Sequence, residues 1–534
     1  MQIVVIGRGF GGLSAAIRLQ ALGHQVTIVE KRDQPGGRAY VYKQDGFTFD
    51  GGPTIITTPQ KIEDLFTTAG RNLADYLTLI PLDPFYNIRF EDGSVFHYNN
   101  DADQLKAQIK AFNPADLAGY ERFYRASEAI FQTGLPLMEQ SFDQLGSMLP
   151  VAPAMVRLQT YRSVAGFVNQ YFQDPRLRQV FSFHPLLIGG HPFQSSALYA
   201  MIHKLEQAFG IWYVQGGTGA LIQAMVRVFE ELGGVLRLGA EVAEIEVTDG
   251  GAQFNGAQGN GAKLNGAQGN GAQGNGIAGA QGNGANPNQP TGTRQATGVR
   301  LQSGERIAAA AVVSNGDVAH TYMQLVPPQF RRVNTDRRLQ NFRYSMSLFV
   351  YYFGTDRQYP DLAHHEILLG SRYRPWLDDL FNRKVLPEDF SLYLHRPTAT
   401  DPRLAPPGCD CWYVLAPVPN LDSSTDWRTM AQPYRDRIVQ YLEQRYLPNL
   451  SQHIVTEHWI DPLHFQDTLN SYKGSAFSIE PTLFQSAWFR PHNRSEDIPN
   501  LYCVGAGTHP GAGLPGTLSS GKIVADLIGA ASRG

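Results

Sequence analysis

Met1-Gln-Ile-Val-Val-Ile-Gly-Arg-Gly-Phe-Gly-Gly12 is the stretch on which the reading of this chain turns. Ile3 to Ile6 is a short apolar, β-branched run of the kind that forms a buried parallel strand. It breaks at Gly7, and Gly7-x-Gly9-x-x-Gly12 then opens a helical pattern through Leu13, Ala16, Ile17 and Leu19. In such a loop the glycines divide the work between a tight turn, close approach of backbone to a pyrophosphate, and close packing of helix on strand. The helix N-terminus directs unpaired N–H groups and a positive dipole end at the phosphates. A second apolar run, Val26 to Val29, ends in Glu30, eighteen positions after Gly12. A carboxylate there accepts both hydroxyl protons of an adenosine ribose and repels a 2′-phosphate. The spacing therefore predicts a dinucleotide site in an α/β domain. Gly269 to Gly274 fits the same glycine pattern, but follows no strand and opens no helix, so it is a chance match.

Size and charge narrow the class. The 534 residues leave room for about three domains, or two large interleaved ones. Net charge is −3 with no basic block, which excludes the electrostatic footprint of a nucleic-acid binder. Cys409, Cys411 and Cys503 make neither a disulfide framework nor a CxxC pair. The Cys409-Asp-Cys411 pair has no partner cluster, so no metal site is expected. The natural compartment is cytoplasmic. The apolar N-terminus lacks a basic flank and is broken by glycine after six residues, unlike a signal peptide. No run of eighteen apolar residues suggests a membrane span.

After Glu30 and Lys31, Gly36-Gly-Arg38 lets backbone and a guanidinium approach a diphosphate together. Phe47-Thr-Phe-Asp-Gly-Gly-Pro-Thr54 reads as a strand running into a ligand-facing loop. Amphipathic helical patterns follow over Gln104 to Phe112, Gly119 to Phe131 and Leu158 to Phe172. Residues 131–168 are apolar and charge-poor, a composition that fits core or an apolar patch facing a membrane. A helix over Ala220 to Leu232 precedes strands Val235-Leu-Arg-Leu and Val242 to Val247, expected to return to the nucleotide-binding sheet. Residues 249–293 repeat Gly-Ala-Gln-Gly-Asn-Gly with almost no apolar side chains and read as a disordered insertion at a hairpin tip between Glu244–Val247 and Ala296–Leu301. Val312-Val-Ser-Asn-Gly-Asp317 is another strand with a polar turn, and Ser347 to Phe353, Leu392 to Leu394 and Trp412 to Leu415 are strong β patterns. Leu501-Tyr-Cys-Val-Gly-Ala-Gly507, a glycine-rich loop to Gly516 and a final helix restate the opening theme. The expected organisation is a nucleotide domain from 1–75, 211–330 and 498–534, with a mixed α+β substrate domain from 76–210 and 331–497.

The opening block to Lys31, together with GGRAYV, FDGGPT, FSFHPLLIGGHPF, GGTGAL, SAWFRPHNR and GAGTHPGAGLPG, resembles the bacterial phytoene desaturase family, the flavin-dependent carotenoid desaturases. The likeness runs from Met1 to about Leu527, glycine repeat excepted, and Ser475 to Pro481 and Ser486 to Arg494 place it nearest the lycopene-forming branch. The resemblance implies a Rossmann-like FAD-binding domain of the amine-oxidase/carotenoid-desaturase type. It places Gly7, Gly9 and Gly12 on the diphosphate, Glu30 with neighbouring Lys31 at the adenosine ribose, and Gly37 and Arg38 on the diphosphate again. Val242 falls where related flavoproteins meet adenine through backbone. Ala506 stands where many flavin oxidases carry Asp or Glu, leaving the ribityl chain to the backbone of Gly505, Ala506 and Gly507, and Leu514, Pro515 and Gly516 fall near the flavin ring edge.

The resemblance further implies stepwise desaturation of phytoene and later carotene intermediates, with hydride passing to the flavin and a proton leaving the neighbouring carbon. No proton acceptor stands out; His184, His191, His509 and several carboxylates are candidates. The substrate has no polar handle, so an apolar tunnel is expected to recognise it. A bilayer-dissolved substrate implies peripheral docking on the membrane surface, with quinone or oxygen as electron acceptor; a homo-oligomer is left open. A carotene isomerase or another carotenoid desaturase is the nearest rival reading. An amine oxidase and a non-enzymatic prenyl-binding protein share the fold.

Overall fold

The computed structural model describes residues 1–249 and 294–531. The glycine-rich insertion therefore lies, from residue 250 onward, outside the described residues.

The opening strand β1 (Gln2–Ile6) and the strand after the first helix, β2 (Gln25–Val29), lie parallel and in register, Ile3 opposite Val26 and Val5 opposite Ile28. Between them runs α1 (Phe10–Ala21), whose Leu13, Ile17 and Leu19 are fully buried. Ala311–Ser314 pairs on the other side of β1, Leu501–Cys503 lies beyond it, and Val235–Arg237 closes the opposite edge against β2. The result is a five-stranded, all-parallel sheet whose strands come from three distant parts of the chain. Its strands are apolar on both faces because both are covered, one by helices and the other, through Val4, Ile6 and Val29, by a layer that includes Ile245 and Val299. One of these helices is the last, Leu514–Ile528, which crosses α1 so closely that a Cβ at Gly521 would stand 2.5 Å from Ser14 Oγ.

Two expectations need correction. Only Val235–Arg237 joins the parallel sheet; Val242–Thr248 instead pairs antiparallel with Gln295–Leu301, and with Arg306–Ala308 makes a separate three-stranded sheet. Its alternating pattern, one face on Ile245 and Val299 and the other carrying Glu244 and Glu246 paired to arginines, is that of a one-sided sheet. The helix expected over Leu158 to Phe172 shrinks to Val164–Val168. Gln159 takes a left-handed backbone (φ 55°), Thr160 bonds back to Met155, and Ser163 caps a new start.

The second body is a mixed seven-stranded sheet in the order Ile454–Ile460, Ser347–Thr355, Asp410–Val418, Leu392–His395, His365–Leu369, Tyr86–Phe90, Val95–Tyr98. Its central strands are buried on both faces and use their alternation to separate two tasks. Phe349, Tyr351 and Phe353 face outward, packing under Trp427, Tyr434 and Ile438 of helix Trp427–Arg445. Leu348, Val350 and Tyr352 face inward, onto a large cavity. Helices Ala102–Phe112 and Leu117–Leu137 cover the remainder, matching the periodicity of the sequence. Among the described residues no helix is long and apolar enough to cross a membrane.

The apolar segment 131–168 divides its side chains. Phe131, Phe142, Val164 and Phe167 are buried, whereas Leu145, Leu149, Val156 and Tyr161 are 58%, 74%, 66% and 57% exposed.

Candidate functional site

A cavity of about 480 Å³ runs from the carboxyl ends of the parallel strands to the inner face of the seven-stranded sheet. It opens where β1 ends and the chain turns into α1, the position at which open α/β sheets bind ligands. Gly7 makes that turn with φ 88°. Gly12 packs on it: a Cβ there would stand 2.2 Å from the Gly7 carbonyl oxygen. The loop is braced from below by Glu30, whose carboxylate accepts the backbone N–H of Arg8 at 2.9 Å and that of Arg32 at 3.0 Å. Glu30 is buried, yet those two bonds leave further lone pairs for hydroxyl donors.

The structure brings Gly7, Gly9, Glu30, Lys31, Gly37, Arg38, Val242, Gly505, Ala506, Gly507, Leu514, Pro515 and Gly516 together on this one wall. Gly12 is not on it; its place is taken by Phe10 and Gly11, and Gly12 serves the packing of helix on strand. Val242 reaches the wall from the separate three-stranded sheet. Of the three histidines considered as proton acceptors none lines the cavity. His184 lies behind it, 3.2 Å from the Glu206 carboxylate; His191 faces Asp378; His509 Nε2 meets the Leu137 carbonyl at 2.9 Å.

Several wall residues carried no distinct sequence signal. Asn315, in the turn after Ala311–Ser314, is ringed by glycines: a Cβ on Gly11 or Gly505 would stand 2.6 or 2.9 Å from its Oδ1, and one on Gly9 2.9 Å from its Nδ2. The three glycines and the asparagine are thus one packing unit, although they come from three strand ends. Arg8 is buried, with Nε and Nη1 unpartnered, and burial draws its pKa down to about 10 against the pull of Glu230 and Glu30. Arg38 Nη2 donates to Ser471 Oγ at 2.5 Å while its Nε is buried without a partner; burial lowers its pKa too, opposed by Asp317. Two cations with unspent donors, beside a glycine cradle and a helix N-terminus, suit a dianionic diphosphate. The residues present fit a flavin dinucleotide.

Away from the glycines the wall turns apolar. Met346, Leu348, Val350, Ile367, Leu369 and Leu415 line it, with Trp376 and Phe477. Its polar interruptions are few. Thr54 Oγ1 lies 2.5 Å from Tyr413 Oη and 2.9 Å from Tyr393 Oη, and Glu206 accepts from Tyr86 Oη at 2.8 Å. Such a surface recognises shape and chain length, not charge.

Comparison with known proteins agrees with this geometry. The sequence description of the flavin containing amine oxidoreductases matches residues 10–268 and 289–529. The lycopene-forming phytoene desaturase of Pantoea ananas is 48% identical over 526 residues, 98% of each chain. The lycopene-forming phytoene desaturase of Pseudescherichia vulneris is 46% identical over 527 residues, again 98% of each. In fold alone, the chain is similar to putrescine oxidase bound to putrescine, with a TM-score of 0.60 at 15% identity over 99% of both chains.

Proposed function

The chain belongs to the phytoene desaturase family within the flavin containing amine oxidoreductases, and on that premise we propose that it desaturates phytoene in successive steps to lycopene, in carotenoid biosynthesis. The observation that carries the reading is the cavity itself, in which a glycine and arginine cradle is continuous with a long apolar wall. FAD is the flavin we assign, held by Gly7, Gly9, Glu30, Lys31, Gly37, Arg38, Val242, Gly505 to Gly507 and Leu514 to Gly516. When bound, it would supply the hydride acceptor that desaturation at an allylic carbon requires.

The chain's own contribution is placement. Arg8 and Arg38 answer the diphosphate charge with donors that have no other buried partner. Glu30 offers its free lone pairs to the adenosine ribose. The inward faces of Ser347–Thr355 and Asp410–Val418 hold a polyene along their length and keep water from it. We assign 1–75, 211–330 and 498–534 to the cofactor domain and 76–210 with 331–497 to the substrate domain. Peripheral docking on a membrane is supported by Leu145, Leu149, Val156 and Tyr161, exposed on the segment that follows cavity-lining Met138. Quinone or oxygen is the proposed acceptor for the electrons.

Anaerobic incubation of the FAD-loaded protein with phytoene in liposomes tests this. Flavin bleaching followed, on adding quinone, by lycopene on chromatography is the expected result. A product of unchanged mass indicates an isomerase, and bleaching by amines but not by phytoene overturns the assignment.

A further inference from the structure

Behind the polar interruption of the apolar wall lies a cluster that desaturation does not use. His364, His365 and His395 are all buried, and one ring nitrogen of each lies within 4.8 Å of those of the other two. His365 begins the strand His365–Leu369 and His395 ends Leu392–His395, directly opposite in the antiparallel ladder. His364 precedes the pair by one residue, so the turn into the strand delivers a third imidazole to the same spot.

The hydrogen bonds of this cluster do not close. His364 Nε2 and His395 Nε2 are 3.0 Å apart, so one must carry a proton for the other to accept. His365 Nε2 and His395 Nδ1 are buried with no partner. The outer nitrogens are otherwise satisfied: His364 Nδ1 meets Thr400 Oγ1 at 2.6 Å and His365 Nδ1 meets Tyr393 Oη at 2.7 Å. Protons on those two Nδ1 atoms leave the Nε2 atoms of His364 and His365 as lone-pair donors, and His395 brings a third imidazole into the same group. The geometry points to a bound first-row transition ion, Zn²⁺ foremost, held by His364, His365 and His395.

Chemistry favours that class. Three uncharged imidazoles without a carboxylate suit zinc, not magnesium or calcium. Hydrogen bonds from the outer nitrogens to Thr400 and Tyr393 are what fixes a ligating histidine's tautomer and ring orientation. Ligand nitrogens around a tetrahedral ion at its usual ~2.0–2.1 Å bond length sit about 3.3 Å apart. His364 and His395 are near that already, with their Nε2 atoms 3.0 Å apart. The ion would tie two strands of the substrate sheet together. Through His365 and Tyr393 it would also orient Thr54 and Tyr413 on the cavity wall. Its role is to position that wall, distinct from the redox chemistry.

Because the site is enclosed, loading belongs to folding, and the test uses tag-free, flavin-loaded protein from zinc- or cobalt-supplemented cells. Elemental analysis should find about one zinc per chain, and the cobalt-grown protein should show ligand-field bands between about 500 and 650 nm, beyond flavin absorption. His365→Ala and His395→Ala should each lower metal content at least fivefold and Tm by several degrees while keeping the flavin spectrum. Wild-type protein carrying less than about a fifth of an equivalent from both media overturns the site, as does equal content in the variants. If the variants do not fold, X-ray absorption of the wild type decides: three imidazole nitrogens support the site, and oxygen-only or thiolate ligation overturns it.

Discussion

Glu30 at the end of β2 accepts the backbone N–H of Arg8 at 2.9 Å, so the acid we assign to the adenosine ribose also braces the glycine loop. The two roles separate by substitution. Glu30→Gln keeps one oxygen for the Arg8 amide but loses the charge, and should weaken FAD by about tenfold. Glu30→Ala removes both, leaves a buried N–H unpaired, and should cost about 1.5–3 kcal/mol, roughly ten- to a hundredfold in affinity. Flavin retention after dialysis, followed by absorbance, checks the order wild type, Gln, Ala.

Gly12→Ala should act on the fold before it acts on the ligand. Its methyl would stand 2.2 Å from the Gly7 carbonyl oxygen, an unyielding backbone atom, so α1 must move off β1. Overpacking of this kind costs about 1–3 kcal/mol. Thermal unfolding should shift down by several degrees, and the purified protein should be mostly colourless. Gly11→Ala meets the Asn315 side chain at 2.6 Å and the Gly505 backbone only at 3.0 Å, so it should be milder.

Val350→Trp should block the cavity on the substrate side. Val350 faces inward with Leu348 and Tyr352, remote in sequence from the glycine cradle. Bound flavin should stay near one equivalent while phytoene turnover falls at least tenfold. Loss of flavin in this variant would show that the two parts of the wall are not independent.

The exposed apolar residues of segment 141–161 give the membrane prediction. Glu substitutions at Leu145, Leu149, Val156 and Tyr161 should release the protein from liposomes in a flotation assay, leaving its thermal stability within about 1 kcal/mol because surface changes cost little. Unchanged flotation would sink the docking surface.

Acid stability follows from burial. Burial lowers the pKa of His509 to about 4, helped by Arg490 and His492 and opposed by its bond to the Leu137 carbonyl. His191 is likewise lowered to about 4 by burial, with Asp378 opposing. A histidine depressed in the fold contributes stability that is present above its unfolded value of about 6.5 and is lost as pH falls toward the folded value. Between pH 6.5 and 5 the loss is about 1.5 kcal/mol for each. Asp50, raised to about 6 by burial, has the opposite sense: its contribution is greatest below pH 3.8 and is gone by about 6. Melting curves should therefore show wild type losing ground to His509→Gln on acidification, and gaining on Asp50→Asn.

The parallel sheet and its glycine loop were legible in the sequence because each strand there is a local apolar run ended by a glycine or a polar turn. Where pairing depends on distant partners the reading failed. Nothing in Val242 to Val247 says which sheet it joins, since β propensity carries no address. The helix over Leu158 to Phe172 failed because a left-handed Gln159 interrupts a pattern whose apolar spacing continues through it. In the cavity, Asn315 and Arg8 escaped notice because they act by filling space between glycines or by holding donors unspent. Neither leaves a mark in a motif. The histidine cluster was hidden for a related reason: His365 and His395 are thirty positions apart, and only the strand register makes them neighbours.

The contact of Gly521 with Ser14 also sets an order of events in synthesis. β1 emerges from the ribosome almost five hundred residues before its neighbour-but-one, Leu501–Cys503, and before the helix that covers α1. A nascent chain can pair β1 with β2 early, yet it has neither Gly505 to enclose Asn315 nor the final helix to cover its first. The cofactor cleft is therefore completed only once Leu501–Cys503 and Leu514–Ile528 have been made, and flavin capture should follow that point. Until then a strip of apolar helix stays open to solvent, which makes the unfinished chain, more than the finished enzyme, the species that needs a chaperone.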